Sequence, residues 1–426
     1  MTARLHVIGG GMAGLACAVE AVRRGWRVTV HEGAPQAGGR CRSYRDARLD
    51  RVIDNGSHLM LSANRETRRL LETTGGWARV TEVAPAAFAF HDLRDDAAWS
   101  VRLTPGRLPL WLFRADHRTP GTTAMQHLRA LARLFTAGRN ATVAEALAGP
   151  LYDRLWHPIA EAVMNTAPAE ASAAGFRAVV GDSLARGEAA CRPWLFPAGL
   201  GAALVEPTLA WLTAQGAEVR LSAPVKGIGF AADRAERLET RDGLIALAPQ
   251  DRVVVALPAF AVGRLLPDLP PPALATRAIV NAHFLLPEPV RLPPPGFVGL
   301  VGGQAHWVFL RDDVLSVTVS DADALAEADD AAIAARLWAD ASRLPALAAL
   351  RNRLPPCRVV RERRATIAHT PAAERLRPGT TTPWSNLFLA GDWTATGYPC
   401  TVEGAVRSGV EAARRAGPAP HGVRER

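Results

Sequence analysis

The chain contains one lysine, Lys226, so its positive charge is almost entirely arginine. Lys and Arg together number 50 against 41 Asp and Glu, a formal net charge of +9. Such a balance attracts anions of any kind. The sequence shows no helix-turn-helix, zinc-finger or RNP pattern, and its arginines are scattered, often beside acids, as in Arg361-Glu362-Arg363. No nucleic-acid partner is therefore expected. Cysteine is also sparse: Cys17, Cys41, Cys191, Cys357 and Cys400 form no CxxC pair. That pattern signals neither a zinc site nor a dithiol redox site, so no metal is expected, and it suits a reducing compartment. No uncharged apolar run reaches the length of about 18 residues that a spanning helix needs. The nearest, Trp194 to Leu212, is interrupted by Pro197, Glu206 and Pro207. No basic, apolar and cleavable leader precedes Leu5-His6-Val7-Ile8, so no signal peptide is expected.

What is present is a globular composition, 48% hydrophobic and 21% charged over 426 residues. That length suggests roughly two or three domains. Residues 4–32 read as strand, glycine turn, helix and strand. Residues 80–103 alternate as short strands, and 104–121 are rich in Pro, Arg and Trp and read as irregular. Met125, Leu128, Leu131, Leu134 and Phe135 recur at helical spacing. Val143 to Met164 reads as a broken helix and residues 172–191 as helical. Val253 to Pro258 reads as a buried strand with a proline stop. Residues 297–319 read as strands, 325–343 as helix, Asn386 to Ala390 as strand and Thr401 to Arg415 as a closing helix. The order mixes nucleotide-fold units with interruptions. It predicts an α/β fold with a domain built from separated segments and a second domain inserted into it.

Gly9-Gly10-Gly11-Met12-Ala13-Gly14 fits GxGxxG between a strand and an apolar helix, the context that gives the motif meaning. Gly9 permits the sharp turn, Gly11 lets the backbone approach a pyrophosphate, and Gly14 allows close helix packing. Glu32 ends the second strand, where a carboxylate accepts hydrogen bonds from adenosine ribose hydroxyls. Two elements favour FAD over a nicotinamide. Gly38-Gly39-Arg40 follows Glu32. Gly391-Asp392 ends a strand just before Thr401-Val402-Glu403 open a helix. A strand-terminal Asp can hold ribityl hydroxyls, and a helix N-terminus can face the flavin pyrimidine carbonyl. Each piece taken alone is also compatible with ordinary turn chemistry.

Together, these segments resemble the flavin amine oxidase and carotenoid desaturase superfamily. Ala223-Pro224-Val225-Lys226-Gly227-Ile228 looks like its adenine-contacting strand, and Val253 to Pro258 like its VVxALP strand. A narrower resemblance is to the squalene-associated FAD-dependent desaturases, the hydroxysqualene dehydroxylases of bacterial hopanoid synthesis. It rests on Asp54-Asn55-Gly56-Ser57-His58-Leu59-Met60-Leu61, on Asn165-Thr166-Ala167-Pro168, and on Gly391-Asp392-Trp393-Thr394 with Thr396, Gly397 and Pro399. Cys400 stands where that group commonly has a smaller residue.

The resemblance implies a discontinuous GxGxxG FAD-binding, Rossmann-like domain (1–80, 195–262 and 355–426) with an inserted mixed α+β substrate domain (81–194 and 263–354). It implies FAD as cofactor, with Asn55, Gly56, Ser57 and Val225 joining the motif residues around it. The implied reaction is reductive removal of the allylic hydroxyl of hydroxysqualene to give squalene, with an electron donor that the sequence does not identify. It implies the bacterial cytoplasm as location. His58 is the candidate proton donor, with Asp54 orienting either His58 or its loop, or forming a simple Asx turn. Tyr398 and Trp393 are candidate pocket residues or core. Residues 101–118 place Leu103, Leu108, Leu110, Trp111, Leu112 and Phe113 among arginines, which suits either a peripheral contact with the inner membrane or a core segment. Alternatives at this stage are a carotenoid or phytoene desaturase, an amine oxidase, and a non-catalytic prenyl carrier on the same fold.

Overall fold

The structure, a computed structural model, describes residues 3–269 and 272–419. Its first layer is a five-stranded parallel sheet in the order Glu218–Arg220, Arg27–His31, Arg4–Ile8, Arg252–Val255, Leu387–Leu389. The inner strands are almost wholly buried, which explains why they read as continuous apolar runs rather than alternating ones. Strands adjacent in this sheet come from distant parts of the sequence, so the domain is assembled from separate stretches of chain. An antiparallel meander, Val225–Ala231, Arg234–Thr240 and Gly243–Ala246, stands between two of them.

The helix Met12–Arg23 lies between this sheet and the closing helix Val402–Arg415, and small residues permit the approach. A Cβ built at Gly14 would stand 1.9 Å from the Gly9 carbonyl oxygen, and one at Gly409 would stand 2.0 Å from that of Ala13. Neither position tolerates a side chain without separating the layers.

The second layer is a seven-stranded sheet in the order Cys357–Ile367, Thr276–Leu285, Val314–Val319, Trp307–Arg311, Phe297–Val301, Ala87–Asp92, Ala97–Arg102. Its pairs are antiparallel except Phe297–Val301 beside Ala87–Asp92. The boundary expected at residue 355 needs correcting. Cys357–Ile367 pairs along nearly its whole length with Thr276–Leu285, so it belongs to this sheet. Only after residue 367 does the chain return to the nucleotide sheet.

Helices Asp323–Ala326 and Asp330–Ala341 cover one face of the second sheet, and a helical cap covers the other. Ala124–Thr136 starts at a capping box of Thr123 and Gln126, Val143–Leu147 at one of Thr142 and Glu145, and Ala173–Asp182 at Ser172. Each side-chain oxygen satisfies an otherwise orphan N–H and fixes where the helix begins. With the helical stretch 152–164 these helices bury Trp156, Met164 and Phe176 against Phe90, Phe297 and Trp307 of the sheet. The segment 101–118 lies over this cap and splits its apolar side chains. Trp111 and Leu112 are buried inward, whereas Leu108 (68% exposed), Leu110 (54%) and Phe113 (69%) face out. Trp111 is therefore not a surface anchor. The 3-10 turn Leu110–Phe113 points its neighbours in opposite directions.

Two histidines share the inner strands of the nucleotide sheet. His6 Nδ1 and His31 Nε2 lie 3.2 Å apart with their rings stacked. Burial first, and then neighbouring positive charge, lowers His6 to about 3 and His31 to about 4 from an ordinary 6.5. Both are neutral in the native protein near pH 7. The unfolded chain binds more protons than the folded one below 6.5. Stability is thus complete above that value and is lost as pH falls towards the folded values. Urea unfolding from pH 7 to pH 4 is expected to show a falling midpoint. His6→Leu should remove on the order of 2 kcal/mol of that fall. An unchanged pH dependence in this variant would contradict the assignment.

Candidate active site

Where the two layers meet, a cavity of about 650 Å³ runs from the glycine turn of the first sheet into the helical cap over the second. Its polar end is built by the nucleotide motifs. Gly9 has φ +110°, and a Cβ there would stand 2.5 Å from the Ala256 carbonyl oxygen. Gly11 differs: a Cβ there would meet nothing within 4 Å. The helix Met12–Arg23 that follows has no side-chain cap and no acid in its first turn. Its free N–H groups and positive dipole end, together with Gly11, Met12 and Ala13, thus border open space in the cavity. An uncapped helix start beside a glycine that faces a void fits the pyrophosphate of a dinucleotide.

Glu32 is held rigidly beside it, accepting from Gly10 N at 2.6 Å and Ala34 N at 2.7 Å. The remaining lone pairs of its carboxylate suit ribose hydroxyls. Gly14 packs under the turn and does not line the cavity. Val225 starts the meander and is likewise outside the lining, while its neighbour Pro224 abuts the Gly33 turn.

Gly38, Gly39 and Arg40 line the cavity beside Gly391 and Asp392. Gly38 (φ +102°) and Gly39 (φ +55°) turn the chain so that Arg40 reaches Asp392 at 2.8 Å. Arg40 also donates to the Ala365 carbonyl. Burial works against the Arg40 charge, but Asp392 outweighs it and raises the guanidinium above its ordinary value. Thr401 caps the closing helix through Gly404 N at 3.1 Å, and Val402 and Glu403 line the cavity at its start. The Glu403 side chain has another task. It accepts from Glu66 N and Thr67 N, so it caps the helix Arg65–Thr74, and it also pairs with Arg407.

Sequence reading missed what holds this segment. Arg377 is buried and donates to the carbonyls of Asp392 (2.8 Å), Thr394 (2.6 Å) and, more weakly, Trp393 (3.3 Å). His369 accepts from Cys400 N at 2.8 Å through Nε2, while Nδ1 faces Glu374, which also pairs with Arg377. One Glu-His-Arg cluster thereby fixes the path from Asp392 to Cys400. No local motif announces it, because its members act on backbone carbonyls and amides brought in by the fold. Trp393 belongs to the core, its indole donating to Leu257 O, and Tyr398 lines the cavity.

The 54–58 loop carries Asn55, Gly56, Ser57 and His58 along the cavity wall. Asp54 is its anchor rather than a partner of His58. Its oxygens accept from Ser43 Oγ, Leu200 N (3.0 Å) and Arg311 Nη1 (2.6 Å), which joins three segments under the loop. Asn55 accepts from Arg42 at 3.2 Å. His58 Nδ1 lies 2.9 Å from Gly56 O, which can only accept, so Nδ1 carries the proton and Nε2 a lone pair. Burial, opposed in part by that hydrogen bond and by Asp54, lowers the His58 pKa below its ordinary 6.5. At neutral pH this imidazole is uncharged, and its one N–H is committed to Gly56. The expected proton donor is thus, in its resting form, a hydrogen-bond acceptor.

Beyond this loop the cavity turns apolar. Phe88, Phe90, Trp111, Leu112, Leu131, Trp156, Phe176, Trp307 and Phe309 line it. A predominantly apolar chamber with a few placed polar groups is the usual form of a small-molecule site.

The two kinds of glycine give separable expectations. Gly11→Val should leave the melting temperature of the apoprotein nearly unchanged while abolishing retention of FAD. Gly14→Val should prevent folding, because it separates helix from sheet. Absorbance of bound flavin and thermal melts of the purified variants check both. A Gly11→Val protein that retains full flavin would remove the pyrophosphate assignment.

The sequence matches the family of flavin containing amine oxidoreductases over residues 12–416. Over 419 residues the chain is 44% identical to a hydroxysqualene dehydroxylase of Rhodopseudomonas palustris, covering 97% of this chain and 98% of the relative. It is 40% identical over 415 residues to one of Sinorhizobium fredii, with 97% and 98% covered. Among solved structures, cyclohexylamine oxidase from Brevibacterium oxydans superposes with a TM-score of 0.69 at 16% identity, covering 98% of this chain and 99% of that one. An oxidoreductase from Methanosarcina mazei gives 0.68 at 12% identity, covering 96% and 100%. These likenesses establish the fold. The sequence match and its curated relatives establish the rest: the chain is an FAD-dependent oxidoreductase of the flavin containing amine oxidoreductases, and within them it belongs to the hydroxysqualene dehydroxylase family.

Proposed function

We propose that this protein removes the allylic hydroxyl of hydroxysqualene, replacing it with hydrogen to give squalene. The observation that carries the reading is one continuous cavity with a dinucleotide cradle at one end and an aromatic, apolar chamber at the other. A long triterpene alcohol needs such a chamber, and its reacting carbon must lie where the chamber meets the cradle. In balance, the alcohol takes up a hydride and a proton and releases water. FAD, when bound and reduced, supplies the hydride. The residues of the chain do the rest. Gly11, Met12, Ala13, Glu32, Arg40 and Asp392 would hold the cofactor, and the Glu374-His369-Arg377 cluster keeps the Asp392–Cys400 path in register. The apolar walls exclude water from the carbon that loses its hydroxyl. Trp111, Trp156 and Trp307 line the same chamber, and aromatic rings there would favour the positive charge that develops. The electrons for the bound cofactor come from a separate donor or free pyridine nucleotide.

Incubation of purified protein with hydroxysqualene under reducing conditions, followed by extraction, should yield squalene. Absence of squalene alongside desaturation of phytoene would transfer the assignment to a desaturase. A purified protein with no flavin absorbance would favour a carrier.

The same reading includes a peripheral membrane contact on the cytoplasmic face of the inner membrane. Leu108, Leu110, Phe113 and Met125 are exposed on the outer side of the cap whose inner side, through Trp111, Leu112 and Leu131, lines the chamber. Arg107 and Arg114 stand among them. Apolar side chains with an arginine rim suit an anionic bilayer surface, and substrate and product are both oil-soluble. Leu110→Glu with Phe113→Glu should abolish sedimentation with anionic liposomes while leaving flavin content intact. Undiminished sedimentation would exclude this face as the contact.

A further inference from the structure

We propose that Asn281 and His58 form a donor–acceptor pair that grips the hydroxyl group of the substrate, with Asn281 the determinant of alcohol over hydrocarbon. The identity of that hydroxyl rests on the reaction proposed above. Asn281 lies in the middle of Thr276–Leu285, a strand of the second sheet, and is only 1% exposed. Its side chain lines the cavity against the 56–58 turn. A Cβ at Gly56 would stand 3.0 Å from its Nδ2.

Two neighbours fix which way the amide faces. Ser57 N, which can only donate, lies 3.4 Å from one terminal atom of the amide, and Thr318 Oγ1 lies 2.7 Å from the same atom. That atom is therefore the oxygen, Oδ1. Nδ2, with two hydrogens, has no hydrogen-bond partner among the described residues. The side chain borders the cavity, so these donors are left for a ligand acceptor there.

His58 supplies the opposite polarity from the same turn. Its Nδ1–H is spent on Gly56 O, His58 lines the cavity, and its lone-pair nitrogen, Nε2, has no hydrogen-bond partner among the described residues. Burial keeps the ring neutral and so keeps that lone pair available. A hydroxyl is the small group that satisfies both at once: it donates to His58 Nε2 and accepts from Asn281 Nδ2. A hydrocarbon satisfies neither. The pair stands beside Asn55, Gly56 and Ser57, at the junction of the polar and apolar ends, which is where the reacting carbon belongs. It also gives the site a reason to release its product, because squalene leaves both polar groups unpaired.

The test uses the holoenzyme in detergent micelles and follows quenching of tryptophan fluorescence on titration with hydroxysqualene and with squalene. Native protein should bind the alcohol at least about tenfold more tightly than the hydrocarbon. Asn281→Leu should lose most of that preference by weakening alcohol binding alone. Asn281→Asp keeps the acceptor used by Ser57 and Thr318 but removes the amide donor, so the hydroxyl, with one hydrogen, faces two acceptors; the preference should fall even if the leucine variant folds poorly. Flavin-to-protein absorbance ratios identify variants whose cradle is intact. In a double-mutant cycle, His58→Phe and Asn281→Leu should couple in alcohol binding and not in squalene binding. Preference retained in both Asn281 variants, or alcohol and hydrocarbon weakened alike, overturns the pair. Native protein that prefers the alcohol yet forms no squalene when reduced refutes the reaction and leaves the pair standing. Native protein that forms squalene without any preference for the alcohol refutes the pair alone.

Discussion

The ion pair between Arg40 and Asp392, at 2.8 Å, is the contact on which the site depends. It joins a turn near the N-terminus to the end of a strand more than three hundred residues later. Backbone amides already place each turn, Gly38 N on Gly10 O and Gly391 N on Ser408 Oγ, and the ion pair ties the two directly across the polar end of the cavity. The pair is partly buried, so its worth depends on the remaining donors and acceptors being satisfied. The structure meets that condition. Arg40 also donates to Ala365 O, and Arg377 holds the Asp392 carbonyl from behind. His369 then fixes the Cys400 amide at the far end of the same segment. The Asp392 side chain is thus placed by a cluster that never touches the cavity's contents.

A second constraint is the contact between layers. Helix Met12–Arg23 must lie close to both the sheet and the closing helix for its N-terminus to reach the cavity wall. Gly14 and Gly409 make this possible by having no side chain at the contact. His6 and His31 lie on the other face of this sheet, the face that carries Ile8, Val253 and Val255, and burial there keeps both imidazoles neutral.

The cavity divides labour along its length. Backbone N–H groups, Glu32 and the ion pair form a polar end suited to a large anionic cofactor. Aromatic rings from the cap and the second sheet form an apolar end. At the junction stand a few polar groups whose hydrogen-bonding polarity is set by backbone atoms: Gly56 O on one side and Ser57 N on the other. Backbone groups cannot exchange donor for acceptor, so they determine which end of each side chain remains for a ligand. By that rule His58 is an acceptor towards the cavity and Asn281 a donor.

The nucleotide fold was legible in the sequence because its requirements are local. A turn at φ +110°, a helix start without a cap and an acid at a strand end each need particular residues at fixed offsets. Gly9, Gly11, Gly14, Glu32, Gly38-Gly39-Arg40 and Gly391-Asp392 could therefore be read in order, and with them the α/β class. The rest depended on contacts between residues far apart in the chain. Trp111 reads as anchor or core alike, because composition cannot tell which side of a 3-10 turn faces the core. For Asp54 the sequence leaves open His58, the loop or an Asx turn, because adjacency does not show that Arg311 and Leu200 take its oxygens. Cys357–Ile367 was assigned to the wrong sheet because strand pairing is decided by partners, not by the strand's own residues. Asn281 carries no motif at all. By itself the sequence determined that a flavin nucleotide is held and by which backbone turns. Only the tertiary structure decided which side chains face the chamber and in which hydrogen-bonding state, because burial and the direction of a donor are properties of the assembled layers.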